Sequence, residues 1–266
     1  MSAARPEDVS AFAARCFIDA AGQKLPYRIL LPEPIAPGMS YPLVVVLHGA
    51  GERGTDNLLP LGNGVAAMLT RSRGGFPCVA VVPQCPPGLR WVEVDWSAAH
   101  HPLPSIPSLP LHAVLALVDA LADPQGSLTP AAGLVDPARL YLMGLSMGGY
   151  GVWDAVSRQP QRFAAAVPIC GGAAEDQAAS LCAAGLPIWA FHGARDPVVP
   201  VERSRRIVSA LRGCRSPVRY TEYPEVGHDA WTWALQEPEL LPWLFSQENS
   251  LVTHIRHGTA SVGRPY

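Results

Sequence analysis

Short apolar runs alternate with longer segments of helical periodicity along most of the chain. The apolar runs, rich in Val, Ile and Leu, are typical of strands buried on both faces; they cover residues 43–47, 79–82, 140–143, 165–169, 188–191 and 218–223. The helical segments cover residues 65–71, 109–121, 150–158, 176–184, 201–211 and 238–245. Because parallel strands need crossover connections, this alternation predicts a mostly parallel sheet with helices on both faces.

The front of the chain has a different pattern. Residues 13–18 and 27–31 are predicted strands joined by the turn-prone residues 19–23, which indicates an antiparallel hairpin. The whole pattern predicts an α/β fold with a sheet of about eight strands, in one domain over residues 1–246. Residues 247–266 lose the apolar periodicity and are predicted to be a weakly packed tail.

Composition narrows the class of protein. Of 266 residues, 48% are hydrophobic and 16% charged, which favours a globular enzyme-sized body over a disordered chain. The net charge is -2 and Lys and Arg are scattered, so a nucleic-acid partner is not expected. The apolar stretches are too short to span a membrane, and the N-terminus lacks a signal-peptide core, so we expect a cytoplasmic location.

The six cysteines include no C-x-x-C pair. Most of them lie in or beside apolar runs, so we expect buried free thiols, although the even number leaves disulfides open.

The sequence GLSMG at residues 144–148 fits G-x-S-x-G, the turn that presents a nucleophilic serine between a strand and a helix. The pentapeptide is weak evidence by itself, because a glycine-rich turn can hold an ordinary serine. Here a predicted strand precedes it and a predicted helix follows it. Ser146 is therefore the candidate nucleophile.

A serine nucleophile needs a base and a group that orients the base, which in this fold follow in the order Ser, Asp or Glu, His. Asp196 follows the predicted strand at 188–191, and His228 follows the strand at 218–223. Both are thus predicted at the same sheet edge as Ser146. Glu225 and Asp229 are alternative acids, but they lie within three residues of His228, too close for easy support of its ring.

Acyl transfer also needs N–H donors for the developing oxyanion. Met147 directly follows the nucleophile and is the first candidate donor. The second is expected from the loop HGAGERG at residues 48–54, with Ala50 preferred and Gly51 next. The alternative is that these glycines only make a tight turn. Nearby histidines, His48 and His192, are expected to brace their loops.

Five segments together resemble esterase/phospholipase-like α/β-hydrolases, close to feruloyl-esterase and polyhydroxybutyrate-depolymerase type esterases; some relatives are called predicted peptidases. They are HGAGERG at 48–54, GLSMGGYGVW at 144–153, AVPICGG at 166–172, HGARDPVVP at 192–200 and YPEVGH at 223–228. The resemblance implies a carboxylic-ester hydrolase that uses Ser146, Asp196 and His228 without a cofactor or metal. It also makes Trp91 a candidate wall of the substrate pocket, although a tryptophan that covers the core edge is the alternative.

Three alternative functions share features of this sequence. A peptidase of the prolyl-oligopeptidase-like type shares this apparatus but usually carries a large gating domain. Dienelactone-type hydrolysis normally uses a cysteine where this chain has Ser146. A catalytically inactive binding module is the alternative from another class.

Residues 171–185 leave no room for a large cap, so an open cleft for a small short-chain or aryl ester is expected. The natural ester and the oligomeric state stay open.

Overall fold

A computed structural model describes residues 6–126 and 131–252 of the chain. Within these ranges the strands form one eight-stranded sheet in the order β1-β2-β4-β3-β5-β6-β7-β8. Their bounds are β1 Ala13–Ile18, β2 Lys24–Leu30, β3 Tyr41–Leu47, β4 Val79–Pro83, β5 Val135–Leu145, β6 Ala165–Ile169, β7 Ile188–Gly193 and β8 Val218–Tyr223. The pairs β1·β2 and β2·β4 are antiparallel and all other pairs are parallel. The predicted mostly parallel sheet is confirmed.

Helices cover both faces of the sheet. They are α1 Pro6–Ser10, α2 Val65–Ser72, α3 Leu109–Ala122, α4 Met147–Arg158, α5 Ala178–Ala184, α6 Glu202–Gly213, α7 Trp231–Ala234 and α8 Leu240–Phe245. Strand β3 shows why two layers are needed, because successive side chains point to opposite faces. Leu43 and Val45 pack in the core shared with α3, α4, α5 and α6, whereas Val44 and Val46 pack in the core shared with α2, α7 and α8.

Two strands begin three or more residues before their predicted start, and two helices were not predicted. Strand β5 begins at Val135, and its first residues were not predicted because Asp136 and Pro137 break the apolar pattern that identified residues 140–143. Strand β2 begins at Lys24. Its first residues were not predicted because Pro26 interrupts the alternation of polar and apolar residues. Helices α1 and α7 have five and four residues, which is too short for a 3.6-residue periodicity to show.

The residues that directly follow α8 are hydrogen-bonded to the rest of the domain. Tyr141 Oη donates to the carbonyl of Gln247 over 2.8 Å, and Asn249 Nδ2 donates to the carbonyl of Gln161 over 2.7 Å. The first residues of the predicted tail thus contact the rest of the domain, whereas residues 253–266 lie outside the described ranges, so the tail stays a prediction. Among the described helices, none is long and apolar enough to cross a membrane.

The cysteines do not all follow the sequence expectation. Cys78, Cys85 and Cys170 are buried free thiols as expected, whereas Cys16 is free but exposed. Cys182 on α5 and Cys214, just after α6, form a disulfide. The expectation of free thiols is wrong for this pair, because the packing of α5 against α6 brings together two residues separated by 32 positions.

Candidate active site

Ser146 lies at a sharp turn between β5, which ends at Leu145, and α4, which begins at Met147. Its φ of 53° and ψ of -118° are unusual for a residue with a side chain. The turn is possible only with glycine on either side. A Cβ at Gly144 would lie 2.4 Å from the Gly148 carbonyl oxygen, and a Cβ at Gly148 would lie 2.0 Å from the Leu47 carbonyl oxygen. Such strain in a serine turn is typical of a nucleophile elbow.

The structure brings Ser146, His228 and Asp196 together in one hydrogen-bonded chain. The Ser146 Oγ lies 2.8 Å from His228 Nε2, and His228 Nδ1 lies 2.7 Å from Asp196 Oδ2. The three residues come from the carboxyl ends of β5, β7 and β8, which is why residues up to 82 positions apart can meet. The His228 side chain is 20% exposed and that of Asp196 is 0% exposed, so the base is open to a ligand and the acid is not.

Asp196 is held as a carboxylate by its surroundings. Its Oδ1 accepts hydrogen bonds from the backbone N–H groups of Val198 and Val199, over 2.8 and 2.9 Å. Burial raises the pKa of Asp196, but the hydrogen bonds from His192, His228 and the two backbone N–H groups outweigh it and hold the pKa well below its usual range. The carboxylate therefore stays ionised beside His228 at neutral pH.

The alternative acids lie away from the imidazole. Glu225 pairs with Arg195 over 2.6 Å and its side chain is 73% exposed. Asp229, directly after the histidine, is also exposed. Neither carboxylate takes part in the contacts that the structure shows for the His228 ring. Spacing along the chain disfavoured both, and the geometry now gives the His228 Nδ1 partner as Asp196.

The candidate oxyanion loop packs directly against the elbow. Ala50 and Gly51 form the start of a 3₁₀ turn, Ala50–Glu52, just after β3. A Cβ at the preceding Gly49 would lie 3.5 Å from the Ser146 Cβ, so the two turns are in contact. The first N–H groups of a helix have no acceptor within it. This leaves Met147 at the start of α4, and Ala50 and Gly51 at the start of the 3₁₀ turn, as candidate donors.

His48 and Trp91 support the candidate oxyanion loop from the side of the core. His48 is buried; its Nδ1 lies 2.6 Å from the Gly49 carbonyl oxygen, and its Nε2 accepts from the Cys85 N–H over 2.9 Å. Burial lowers the pKa of His48 to about 4, which keeps the ring neutral. Trp91 is 0% exposed and donates from Nε1 to the His48 carbonyl over 3.0 Å. The prediction that Trp91 forms a pocket wall is wrong, because the indole faces the core.

A segment of the loop after β4 lies over the first turns of α4 and α6, at the same sheet edge as Ser146. Tyr150 Oη donates to the Trp96 carbonyl over 2.9 Å, and Arg203 Nη1 donates to the Ala98 carbonyl over 2.7 Å. Arg203 also contacts His101 Nδ1. Sequence reasoning missed Arg203, whose place on an ordinary amphipathic helix gave no sign that its side chain is fully buried.

Among the described residues, one group of three potential metal ligands was found: Cys170, Asp196 and His228, with ligand atoms within 4.8 Å of one another. Two of the three are already joined by the 2.7 Å hydrogen bond between His228 Nδ1 and Asp196 Oδ2. A separation this short leaves no space for an ion between those atoms. The arrangement as it stands is suited to proton transfer between Ser146 and His228.

Comparisons with known proteins agree with the fold. The dienelactone hydrolase family model matches residues 126–235. A thermostable esterase of known structure is 38% identical with a TM-score of 0.81, covering 91% of this chain and 64% of that chain. An uncharacterized secreted protein of Arthroderma benhamiae is 27% identical over 216 residues, which are 70% of this chain and 21% of that protein. This chain thus spans less than two thirds of both relatives.

More distant structures share the fold alone. A ferulic acid esterase is 15% identical with a TM-score of 0.66, covering 88% of this chain and 97% of that chain. Serine peptidases occur at a similar distance, such as an acylaminoacyl peptidase at 16% identity and a TM-score of 0.60. The sheet order and these matches show the α/β-hydrolase fold, and over residues 126–235 the chain is similar to the dienelactone hydrolase family.

Proposed function

We propose that this protein is a serine carboxylic-ester hydrolase that acts on short-chain or aryl esters through an acyl-enzyme intermediate. The observation that carries the proposal is the hydrogen-bonded chain from Ser146 Oγ through His228 to Asp196, with both contacts shorter than 3 Å. The serine is on a strained turn at the carboxyl edge of the sheet, where ligands of such sheets bind.

In the first half of the reaction, His228 Nε2 takes the proton from Ser146 as Oγ attacks the ester carbonyl carbon. Negative charge moves to the carbonyl oxygen, where the N–H groups of Met147 and of Ala50 or Gly51 are the proposed donors. Asp196 keeps the His228 Nδ1 protonated and stabilises the imidazolium that forms. The ester C–O bond then breaks, and the leaving alcohol oxygen takes the proton from His228 Nε2.

In the second half, water replaces the alcohol. His228 Nε2 accepts a proton from the water as its oxygen attacks the acyl carbon, and the proton then passes to Ser146 Oγ as the acyl bond breaks. The products are the carboxylic acid and the original serine. Each step uses groups of this chain and water alone, so we expect no loss of activity in EDTA.

The cleft favours small substrates. Between β6 and β7 the chain holds one 3₁₀ turn and α5, which has seven residues, so no large cap covers Ser146 from this segment. The loop held by Tyr150 and Arg203 can form one side of the cleft, with Trp96 half-buried within it. A cleft bounded in this way accommodates a short acyl or aryl group and leaves a long acyl chain in solvent.

A panel of substrates tests the proposal: p-nitrophenyl esters from acetate to palmitate, methyl ferulate, and a peptide anilide, each with wild type and Ser146→Ala. We expect ester turnover by wild type and its near-complete loss in Ser146→Ala, because no acyl-enzyme can form. The matched control is Ser157→Ala on the same helix, whose hydroxyl is remote in sequence from the elbow. Ester turnover by folded Ser146→Ala at the wild-type rate would refute the proposal.

The same panel distinguishes the alternatives. Peptidase activity has support from the fold shared with serine peptidases, and would appear as anilide cleavage faster than ester cleavage. A catalytically inactive binding module would show neither activity and no labelling of Ser146 by a fluorophosphonate probe. The hydrogen bond from Ser146 to His228 favours labelling, because it activates the hydroxyl.

A further inference from the structure

His192 is a second histidine on the candidate catalytic acid. It lies near the end of β7, is completely buried, and precedes Asp196 by four residues. Its Nε2 lies 3.3 Å from Asp196 Oδ2 and 3.0 Å from the Val199 carbonyl oxygen. The oxygen it approaches is the one that accepts the hydrogen bond from His228.

The neighbours of His192 decide which ring nitrogen carries a hydrogen. Both partners of Nε2, the Asp196 carboxylate and the Val199 carbonyl, can only accept, so Nε2 must be protonated and its hydrogen is shared between them. On the other side, Nδ1 lies 2.7 Å from Ser204 Oγ, a hydroxyl that can donate to it. Ser204 thus ties the ring to the first turn of α6.

These contacts saturate the carboxylate. Asp196 Oδ1 accepts from two backbone N–H groups, and Oδ2 accepts from His228 Nδ1 and lies 3.3 Å from His192 Nε2, so four donor groups surround the roughly four lone-pair sites that a carboxylate offers. Because the side chain is 0% exposed, water cannot replace a lost donor. Without the His192 hydrogen, Oδ2 keeps one side-chain donor and can shift toward or away from His228.

A second charged group next to His192 in the sheet is already paired. Glu222 lies opposite His192 in the register of β7 and β8, but its carboxylate accepts from Arg205 Nε over 2.9 Å and from Tyr220 Oη over 2.8 Å. The His192 ring therefore has Asp196 as its carboxylate partner among these groups.

We propose that His192 is a positioning residue: its Nε2–H fixes Asp196 Oδ2 in the orientation that His228 requires. The proposal rests on the ester hydrolysis proposed above. If His192 had a purely structural role, its replacement would affect folding. If it is a positioning residue, loss of one atom, the Nε2 donor, lowers the catalytic rate.

Two substitutions separate the atoms of the ring. In His192→Gln the side-chain amide can place its NH₂ near the original Nε2, on the Asp196 side. In His192→Asn the shorter amide occupies the Nδ1 position, on the Ser204 side, and leaves Asp196 without this donor. We expect kcat on p-nitrophenyl butyrate to fall about 10- to 100-fold in His192→Asn, as for a lost hydrogen bond to a charged group, with KM within about threefold. His192→Gln is expected to stay within about fivefold of wild type, since the donor is kept.

The pH profile provides a second readout. Removal of the donor leaves more negative charge on Oδ2 beside the His228 ring and favours its protonated form, so the acid limb of kcat should move to higher pH by about half a unit in His192→Asn. Melting temperatures and circular dichroism of both variants, with Tyr141→Phe as a control that loses a part-buried hydrogen bond to residue Gln247, report the folded fraction.

Equal kcat losses in the two folded variants, or an unchanged kcat and acid limb in His192→Asn, would overturn the positioning role. If His192→Asn does not fold, a His192→Gln enzyme whose kcat falls as far as 100-fold overturns it by itself. Failure of the proposed function looks different: wild type would then show no ester turnover that Ser146→Ala abolishes, whatever residue 192 is.

Discussion

Replacement of Asp196 by asparagine should reverse the hydrogen-bonding direction at His228. The two backbone N–H groups of Val198 and Val199 point at Oδ1 and cannot reverse, so the amide oxygen of Asn must take that position. Its NH₂ group then faces His228 Nδ1, which lies 2.7 Å from Oδ2 in the wild type. Two donors cannot share this contact, so the imidazole must carry its hydrogen on Nε2 instead.

The consequence for the rate follows from that tautomer. With a hydrogen on Nε2, His228 can no longer accept the proton of Ser146, whose Oγ is 2.8 Å away. The corresponding substitution in a serine protease lowers kcat by about 10⁴, which equals about 5.4 kcal/mol of transition-state stabilisation. We expect a loss of similar size here, because the two backbone N–H groups hold the amide oxygen at the Oδ1 position and leave the NH₂ group facing His228 Nδ1.

The measurement is kcat and KM on p-nitrophenyl butyrate for Asp196→Asn, with Glu225→Gln and Asp229→Asn as matched controls. The controls change carboxylates that are near in sequence but exposed, so we expect rates within about threefold of wild type. Circular dichroism and melting temperature show whether each variant is folded. A folded Asp196→Asn enzyme within tenfold of wild type, or a larger loss in Glu225→Gln, would refute the assignment of the acid.

Three further predictions follow from single features of the structure. Acidification from pH 6.5 to 4 should cost about 3 kcal/mol through His48 alone, because the unfolded chain binds a proton over this range and the folded ring, with its pKa lowered to about 4, does not. Urea unfolding of wild type and His48→Gln at several pH values measures this, and parallel curves would contradict it. Gly148→Ala should prevent stable folding or cost at least about 3 kcal/mol, since its Cβ would lie 2.0 Å from the Leu47 carbonyl oxygen; native-like circular dichroism and melting would count against the elbow geometry. The kcat/KM on p-nitrophenyl esters should peak for acyl groups of about two to six carbons, because an open cleft gains no further burial of about 0.8 kcal/mol per methylene beyond its wall. An optimum on palmitate would reveal a deep pocket.

The parallel strands were predictable because they are buried on both faces. A run such as Leu43 to Leu47 needs apolar side chains at every position, because both faces of the strand are buried. Where a strand departs from that rule, the pattern failed. The first residues of β5 include Asp136, whose Oδ1 accepts from the Ala138 N–H, so a polar residue that looked like a turn signal belongs to the strand.

The burial of Trp91 could not be predicted from the sequence. Trp91 and Trp96 lie in one Pro-rich loop without periodicity, so nothing in the pattern tells which indole is buried. The structure buries Trp91 because its Nε1–H finds the His48 carbonyl and its ring packs edge-on against the His48 ring, with centroids 5.2 Å apart. His48, which supplies both contacts, is 43 positions away, so this outcome depends on tertiary contacts that a local pattern cannot contain.

The choice of Asp196 over Glu225, by contrast, can be argued from local chemistry once the structure shows what the carboxylate requires. A buried carboxylate beside a histidine needs donors for its second oxygen, and Asp is the acid whose short side chain can accept from the N–H groups two and three residues later. Asp196 accepts from the N–H groups of Val198 and Val199. Pro197, which directly follows Asp196, restricts the backbone of this turn. A Glu has an extra methylene and does not favour this turn. An Asp-Pro pair just after a buried strand therefore favours the acid of such a site on physical grounds, before any distance is measured.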